Sequence, residues 1–295
     1  MADLGNILAV GILLGGIYAL VSVGLNLIFG VIRVVNFAQG EFVMLGMYGT
    51  YAAYSVLHLD PYLALIVVLP ALFILGAVVQ RLVLAPLRTE PTMQIFATFG
   101  LLMLLENLVL AATGGTAYSV TSPVSQTSVD IFGVQVGMVR LIALAAATAV
   151  AAALGLFLQR SMLGRAIRAV AQDRSAARLM GIDVDRIYML TFGIGAALAG
   201  LAGCLLTPIY SLSPQIGTSF VLPAFAVVVL GGLGSVLGAY VGGFIVGLTE
   251  AFAGYYLDPS LKYAVLFGVF IIVLIIRPSG LFGQIGAEEV GLRGE

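Results

Sequence analysis

The chain has 295 residues, 61% of them hydrophobic and only 9% charged, with a formal net charge of −1 and a mean hydropathy of +1.13. Soluble domains carry about a quarter charged residues, so this composition excludes one. The near-neutral balance offers no basic surface to nucleic acid, and the lone cysteine, Cys204, excludes an intramolecular disulfide.

A bilayer core of about 30 Å takes roughly 20 apolar residues per helix. Uncharged runs near that length or longer recur at 5–31, 61–80, 141–159 and 187–235, with a shorter one at 263–276. They are continuous rather than alternating, which favours helices over barrel strands. The first run has no Lys or Arg before it and is too long for the apolar region of a secretion signal, so it reads as a membrane segment. In chain order the predicted helices lie at about 5–30, 42–57, 61–80, 94–113, 139–159, 188–207, 220–234, 236–256 and 262–277. The fold class is therefore all-α and polytopic, with about eight or nine membrane segments. The segment at 42–57 is short enough to be re-entrant, and glycines break the run near Gly231–Ser235, so the exact number stays open. One membrane domain covers 1–281, with a short polar tail at 282–295.

Between the first two segments, the motif NFAQGE places Asn36, Gln39 and Glu41 beside a glycine. Irregular backbone at membrane depth is tolerated only where protein or water satisfies it. The motif is either a turn at the membrane face or a re-entrant element lining a path. His58, the only histidine, reads as a solvated loop residue and excludes multi-histidine metal sites. Glu106, beside Asn107, and Glu250 interrupt apolar runs. Ionisable groups there usually face a bundle interior or a water-filled path. Glu106 and Asn107 fit a pathway or a structural hydrogen-bond role, whereas Glu250, nearer a segment end, fits the structural role better. The connection 114–138 contains no Lys or Arg and reads as a small, partly extended cap on the outer face.

The stretch GRAIRAVAQDRSAARLMGIDVDR, residues 164–186, holds eight of the chain's 27 charged side chains. Its residues 164–180 are good helix formers, Gly181 suits a helix C-terminus, and Ala176 and Ala177 form a flat patch that another protein could approach. With this stretch on the cytoplasmic side, alternating segments put eleven of the thirteen cationic residues inside, only Arg140 and Lys262 lying outside. The N-terminus is then extracytoplasmic and the C-terminus cytoplasmic. Later, Gly195 and Gly203 flank Ala199 at four-residue spacing, and Gly234, Gly238 and Gly242 repeat it. Small residues one turn apart let membrane helices pack closely.

The single lysine, Lys262, precedes Tyr263, so no Gly-Lys-Ser/Thr phosphate loop exists. No catalytic or metal-binding residues are expected, and the chain does not read as an enzyme.

Three stretches carry a family resemblance: GLNLIFGVIRVVNFAQGEFVMLG, GRAIRAVAQDRSAARLMGIDVDRI, and FAVVVLGGLGSVLGAYVGGFIVGL followed by IIRPSGLFG. Over roughly 5–285 the chain resembles the permease subunits of branched-chain amino-acid ABC importers. The resemblance implies a bacterial inner-membrane subunit that forms the translocation path for branched-chain or related amino acids. It implies a second permease subunit, related but different, two ATP-binding subunits that hold ATP and Mg, and a periplasmic substrate-binding protein. It also implies that residues 164–186 form the cytoplasmic coupling segment, with Arg165, Arg168, Asp173, Ala176, Ala177 and Gly181 meeting the ATPase. Asn36, Gln39, Glu41, Glu106 and Asn107 remain the candidate pathway residues from the residue reading. The competing reading is a stand-alone secondary transporter or channel for a small polar solute. Such transporters often carry several paired intramembrane charges, of which this chain shows few.

Overall fold

The computed structural model describes residues 2–122, 124, 127–131, 134–257 and 261–283. The tail from 284 onward, Arg293 included, lies outside them. Nine apolar helices follow the predicted order: α1 (Ala2–Ile32), α2 (Gln39–Leu57), α3 (Leu65–Val79), α4 (Pro91–Thr113), α5 (Met138–Arg160), α8 (Val184–Leu206), α9 (Thr218–Gly231), α10 (Val236–Tyr256) and α11 (Lys262–Ile276). Two short helices, α6 (Met162–Gln172) and α7 (Arg174–Leu179), occupy the charged stretch. Among the described residues, seven helical stretches are long and apolar enough to cross a membrane; α2 and the 15-residue α11 are not among them.

Local chemistry sets the ends. Arg33 adopts a left-handed φ of 60° and stops α1. Pro91 opens α4, where its missing N–H costs nothing, and Gly114 at φ 63° closes it. A π-helical turn at Gln80–Leu84 and a short 3-10 turn at Ala85–Leu87 prolong α3. The side chains of Ser161, Asp183 and Ser235 accept main-chain N–H bonds at the starts of α6, α8 and α10.

The connection between α4 and α5 is partly extended, as expected. A two-stranded antiparallel hairpin pairs β1 (Ser128–Ile131) with β2 (Val134–Gly137). Tyr118 and Leu212 exchange main-chain bonds of 3.1 and 2.8 Å.

α1 runs through the centre, packed against α10, α8, α5 and α9, while α8 also packs on α2 and α3. In the apolar stretch of α1, 72% of residues are buried, against 17% in α4 and α5. Lipid tails are as apolar as Leu, so close backbone approach rather than the hydrophobic effect holds these crossings. At α1–α10, a Cβ on Gly247 would lie 2.5 Å from the Gly15 Cα, and one on Gly243 would lie 2.6 Å from the Ala19 nitrogen. Gly195 meets Gly24 and Ile28 of α1, Gly203 meets Val43 and Met47 of α2, and Gly238 and Gly242 meet Gly231 at the end of α9.

Gly234 departs from the predicted spacing pattern. It lies in the turn between α9 and α10 at φ 83°, a conformation that favours glycine, so it shapes a turn rather than a helix face. Asn26 on α1 holds that turn. Its Oδ1 accepts from the Gly234 N–H at 2.6 Å, and its Nδ2 donates to the carbonyls of Ser235 at 2.5 Å and Gly232 at 3.3 Å. A side-chain amide thus satisfies non-helical backbone inside the bundle.

Candidate translocation site and docking segment

Residues 33–38 are not helical. The Asn36 Oδ1 accepts from the Ala38 N–H at 3.1 Å, and its Nδ2 donates to Gln39 Oε1 at 3.1 Å. Gln39 Nε2 then donates to the Gly195 carbonyl at 3.3 Å. Gly195 stands eleven residues past Val184, so at 1.5 Å per residue it lies about 16 Å along α8. Helix α2 therefore starts near the middle of α8, and the re-entrant reading of NFAQGE matches this geometry. Gly24 leaves the room that the Gln39 amide fills.

On the other side, Phe37 packs on Phe225 and Phe99 with ring centroids 5.2 and 6.4 Å apart. Thr98 Oγ1 donates to the Val35 carbonyl at 3.1 Å. Thr98 stands among apolar residues of α4 with nothing to mark it in the sequence. Its role follows only from the re-entrant strand lying against it.

A second helix break meets the first. The 3-10 turn Pro214–Gly217 leads into α9, and Gly40 packs directly on Gly217. A Cβ on Gly217 would lie 2.7 Å from Glu41 Oε1, so only glycine leaves room for that carboxyl group. Glu41 is 0% exposed, and neither of its carboxyl oxygens has a hydrogen-bond partner among the described residues. Unsatisfied carboxyl groups in such surroundings are costly and recur where a site needs them.

Glu106 is half-buried on α4. Asn107 takes a different place. It is exposed on the outer face of α4, and its Nδ2 bonds back to the Met103 carbonyl at 2.8 Å. Within this chain the structure brings together Asn36, Gln39 and Glu41, while Glu106 stands half-buried on α4 and Asn107 lies apart.

Glu250 sits in a different environment. Tyr18 Oη donates to its Oε2 at 2.5 Å and Lys262 Nζ to its Oε1 at 2.9 Å, joining α1, α10 and α11. This is the structural role expected for it.

The charged stretch forms an arm of two helices rather than one. Asp173 is extended at φ −150°, ends α6, and caps α7 by accepting from the N–H groups of Ser175 and Ala176 at 2.8 and 2.9 Å. Gly181, at φ 81°, ends the arm as expected, donating its N–H to the Arg178 carbonyl at 3.0 Å. The flat patch expected at Ala176 and Ala177 does not form. Ala176 is exposed, but Ala177 is only 4% exposed because the turn of α7 points it inward. The same rotation drives Leu179 and Met180 outward, to 89% and 82% exposure. The sequence contained both residues, but helical phase alone decides which apolar group of a six-residue helix faces out. Arg165 and Arg168 are exposed along α6. Arg88 pairs with Asp185 and stacks over Tyr188 at 4.9 Å, tying the end of α3 to the base of the arm.

A polytopic helical bundle with a polar helix break at mid-depth and a charged arm at one end has the layout of a membrane transport component. The chain belongs to the family described as the branched-chain amino acid transport system permease component, whose model matches residues 7–274. It is 33% identical over 294 residues to the high-affinity branched-chain amino acid transport system permease protein LivH of Salmonella typhimurium, covering 95% of this chain and 96% of that one. The corresponding protein BraD of Pseudomonas aeruginosa is also 33% identical, over 297 residues with the same coverage. The ribose import permease protein RbsC of Haemophilus influenzae is similar over less, 31% identical across 133 residues and 43% of this chain. No solved structure matches the chain.

Proposed function

We propose that the chain is the membrane-spanning subunit of an ATP-driven importer and conducts a branched-chain or related amino acid across the bacterial inner membrane. The substrate class rests on the names of LivH and BraD, which match nearly end to end. A second, related permease subunit completes the path, two ATPase subunits bind ATP and Mg, and a periplasmic binding protein delivers the substrate. Lys262, the one lysine, precedes Tyr263 and so belongs to no Gly-Lys-Ser/Thr phosphate loop, and the proposal assigns hydrolysis to the partner subunits. The arm faces the cytoplasm, which puts the N-terminus outside and the C-terminus inside, following the cation distribution. The path passes the polar break at Asn36, Gln39, Glu41 and Glu106. The exposed face of α4, Asn107 included, turns toward the second permease subunit.

The observation that carries this reading is the arm. A solvated linker has no reason to hold Leu179 and Met180 almost fully exposed beside Arg165 and Ala176 on two capped helices, whereas an apolar tip flanked by charge suits an ATPase groove. Substituting Leu179→Glu with Met180→Glu places two carboxylates in that contact. A hot spot lost costs about 2 kcal/mol, so ATPase association in co-purification falls about thirtyfold and uptake falls with it. Full association and uptake in the double variant would refute the docking role. Ala177→Glu has a different expected effect, because it disrupts the folding of the arm itself.

A further inference from the structure

A groove of about 1160 Å³ opens on the flank of the bundle between α1, α5 and α10. Its wall is mainly apolar, including Gly30, Ala151, Ala152, Gly155 and Leu156, with Gln159, Gln172 and Ser235 among its polar members. At one end the hydroxyl groups of Thr148 and Tyr240 hydrogen-bond at 2.7 Å. The other end carries two guanidinium groups. Arg33 donates to the Ala171 carbonyl at 3.3 Å and Arg168 to the Gln159 carbonyl at 3.4 Å. No acidic side chain lines the groove, and neither arginine forms an ion pair among the described residues.

We propose that this groove holds an anionic phospholipid, its acyl chain along the trough and its phosphate on Arg33 and Arg168. The gradient along the groove is that of the lipid itself, hydrocarbon-like over most of its length and doubly cationic at one end. Guanidinium groups bind phosphate oxygens through paired, charge-assisted hydrogen bonds, and here their existing bonds are only to main-chain carbonyls. Both sit where apolar helices give way to the polar arm: Arg33 closes α1 and Arg168 lies on α6. Basic pockets between membrane helices at that level suit acidic headgroups. A soluble anion would leave the trough unused, and a neutral lipid would leave the two cations uncompensated. The inference is independent of what the protein transports.

The chain contains no tryptophan, so Leu156→Trp installs a single fluorescent reporter in the groove. The full-length variant is placed in nanodiscs of phosphatidylethanolamine doped with acyl-brominated phosphatidylglycerol or acyl-brominated phosphatidylethanolamine. Each cation near a membrane surface contributes about fivefold, so half-quenching by the brominated phosphatidylglycerol comes at roughly thirtyfold lower mole fraction. Adding Arg33→Gln and Arg168→Gln abolishes that preference. Arg33→Lys with Arg168→Lys keeps most of it, and salt weakens what is kept. A reference tryptophan at Ile74→Trp, on the exposed face of α3, shows no headgroup preference. Equal quenching by both lipids in the groove overturns the proposal, as does a preference that survives loss of both arginines. Absence of quenching by either lipid overturns it too, since protein then covers the groove.

Discussion

Glu250 and Glu41 are both buried carboxyl groups on helices of the bundle, 8% and 0% exposed, but their surroundings differ. Glu250 is held at a three-helix junction by a tyrosine hydroxyl and an ammonium group. Glu41 sits where two helices begin against each other, walled by the backbone of Gly40 and Gly217, with no partner for either oxygen among the described residues. A buried carboxyl group is tolerated when paired and hydrogen-bonded, and forfeits the bonds it would make to water when it is not. The first site is therefore built for stability. The second gives stability up, and in a transport protein such a concession belongs beside the path.

The contrast predicts unequal responses to substitution. The largest effect on stability is expected when Glu250 is left without its cation. Lys262→Met should lower stability by about 2–3 kcal/mol, below the roughly 3–5 kcal/mol of a fully buried pair, since the lysine side chain is 34% exposed. Thermal unfolding in detergent measures it, and the double variant with Glu250→Gln should recover most of the loss. A loss that persists in the double variant would mean that the lysine acts through packing, and the junction would no longer contrast with Glu41 in charge. Tyr18→Phe comes next. It removes one hydrogen bond to a charged acceptor, about 1.5–2 kcal/mol, and leaves Lys262 in place. No change at all would place the strength of the junction in the ion pair alone.

All nine apolar helices were legible in the sequence because lipid demands continuous apolar runs, and the observed ends fall within a few residues of those predicted. The structural role of Glu250 was legible too, from its place near a helix end. The candidate site was legible only in part. NFAQGE announces a polar break, but its depth depends on Gln39 reaching Gly195, 156 positions away. The meeting of Gly40 with Gly217 is likewise a matter of tertiary folding, and nothing local marks either glycine. In the arm, the charge and the terminating Gly181 were readable. The break at Asp173 was not, since an aspartate inside a run of good helix formers gives no sign that it will cap a new helix instead of continuing the old one. With that break, the phase of α7 changed, and Ala177 exchanged places with Leu179 and Met180 as the exposed surface.

The smallest effect on stability is expected at Glu41, where the comparison is most exposed to failure. Glu41→Gln keeps the shape of the side chain and its fit against Gly217 while removing the charge. No hydrogen bond or ion pair among the described residues is lost, so the unfolding free energy should change by less than about 1 kcal/mol or rise slightly. Uptake should respond in the opposite sense. If the carboxyl group acts on the substrate or on opening of the Gly40–Gly217 contact, an effect of only 1.4 kcal/mol on that step lowers uptake about tenfold. Glu41→Leu should behave alike in stability and worse in uptake, because it can neither accept nor donate a hydrogen bond. Measured together in reconstituted vesicles and in detergent, the two readouts separate the roles. Normal uptake in both variants would remove Glu41 from the path. A stability loss of more than about 2 kcal/mol in Glu41→Gln would reveal a partner in the membrane-embedded assembly, and the two carboxyl groups would then be alike, each held for the sake of the fold.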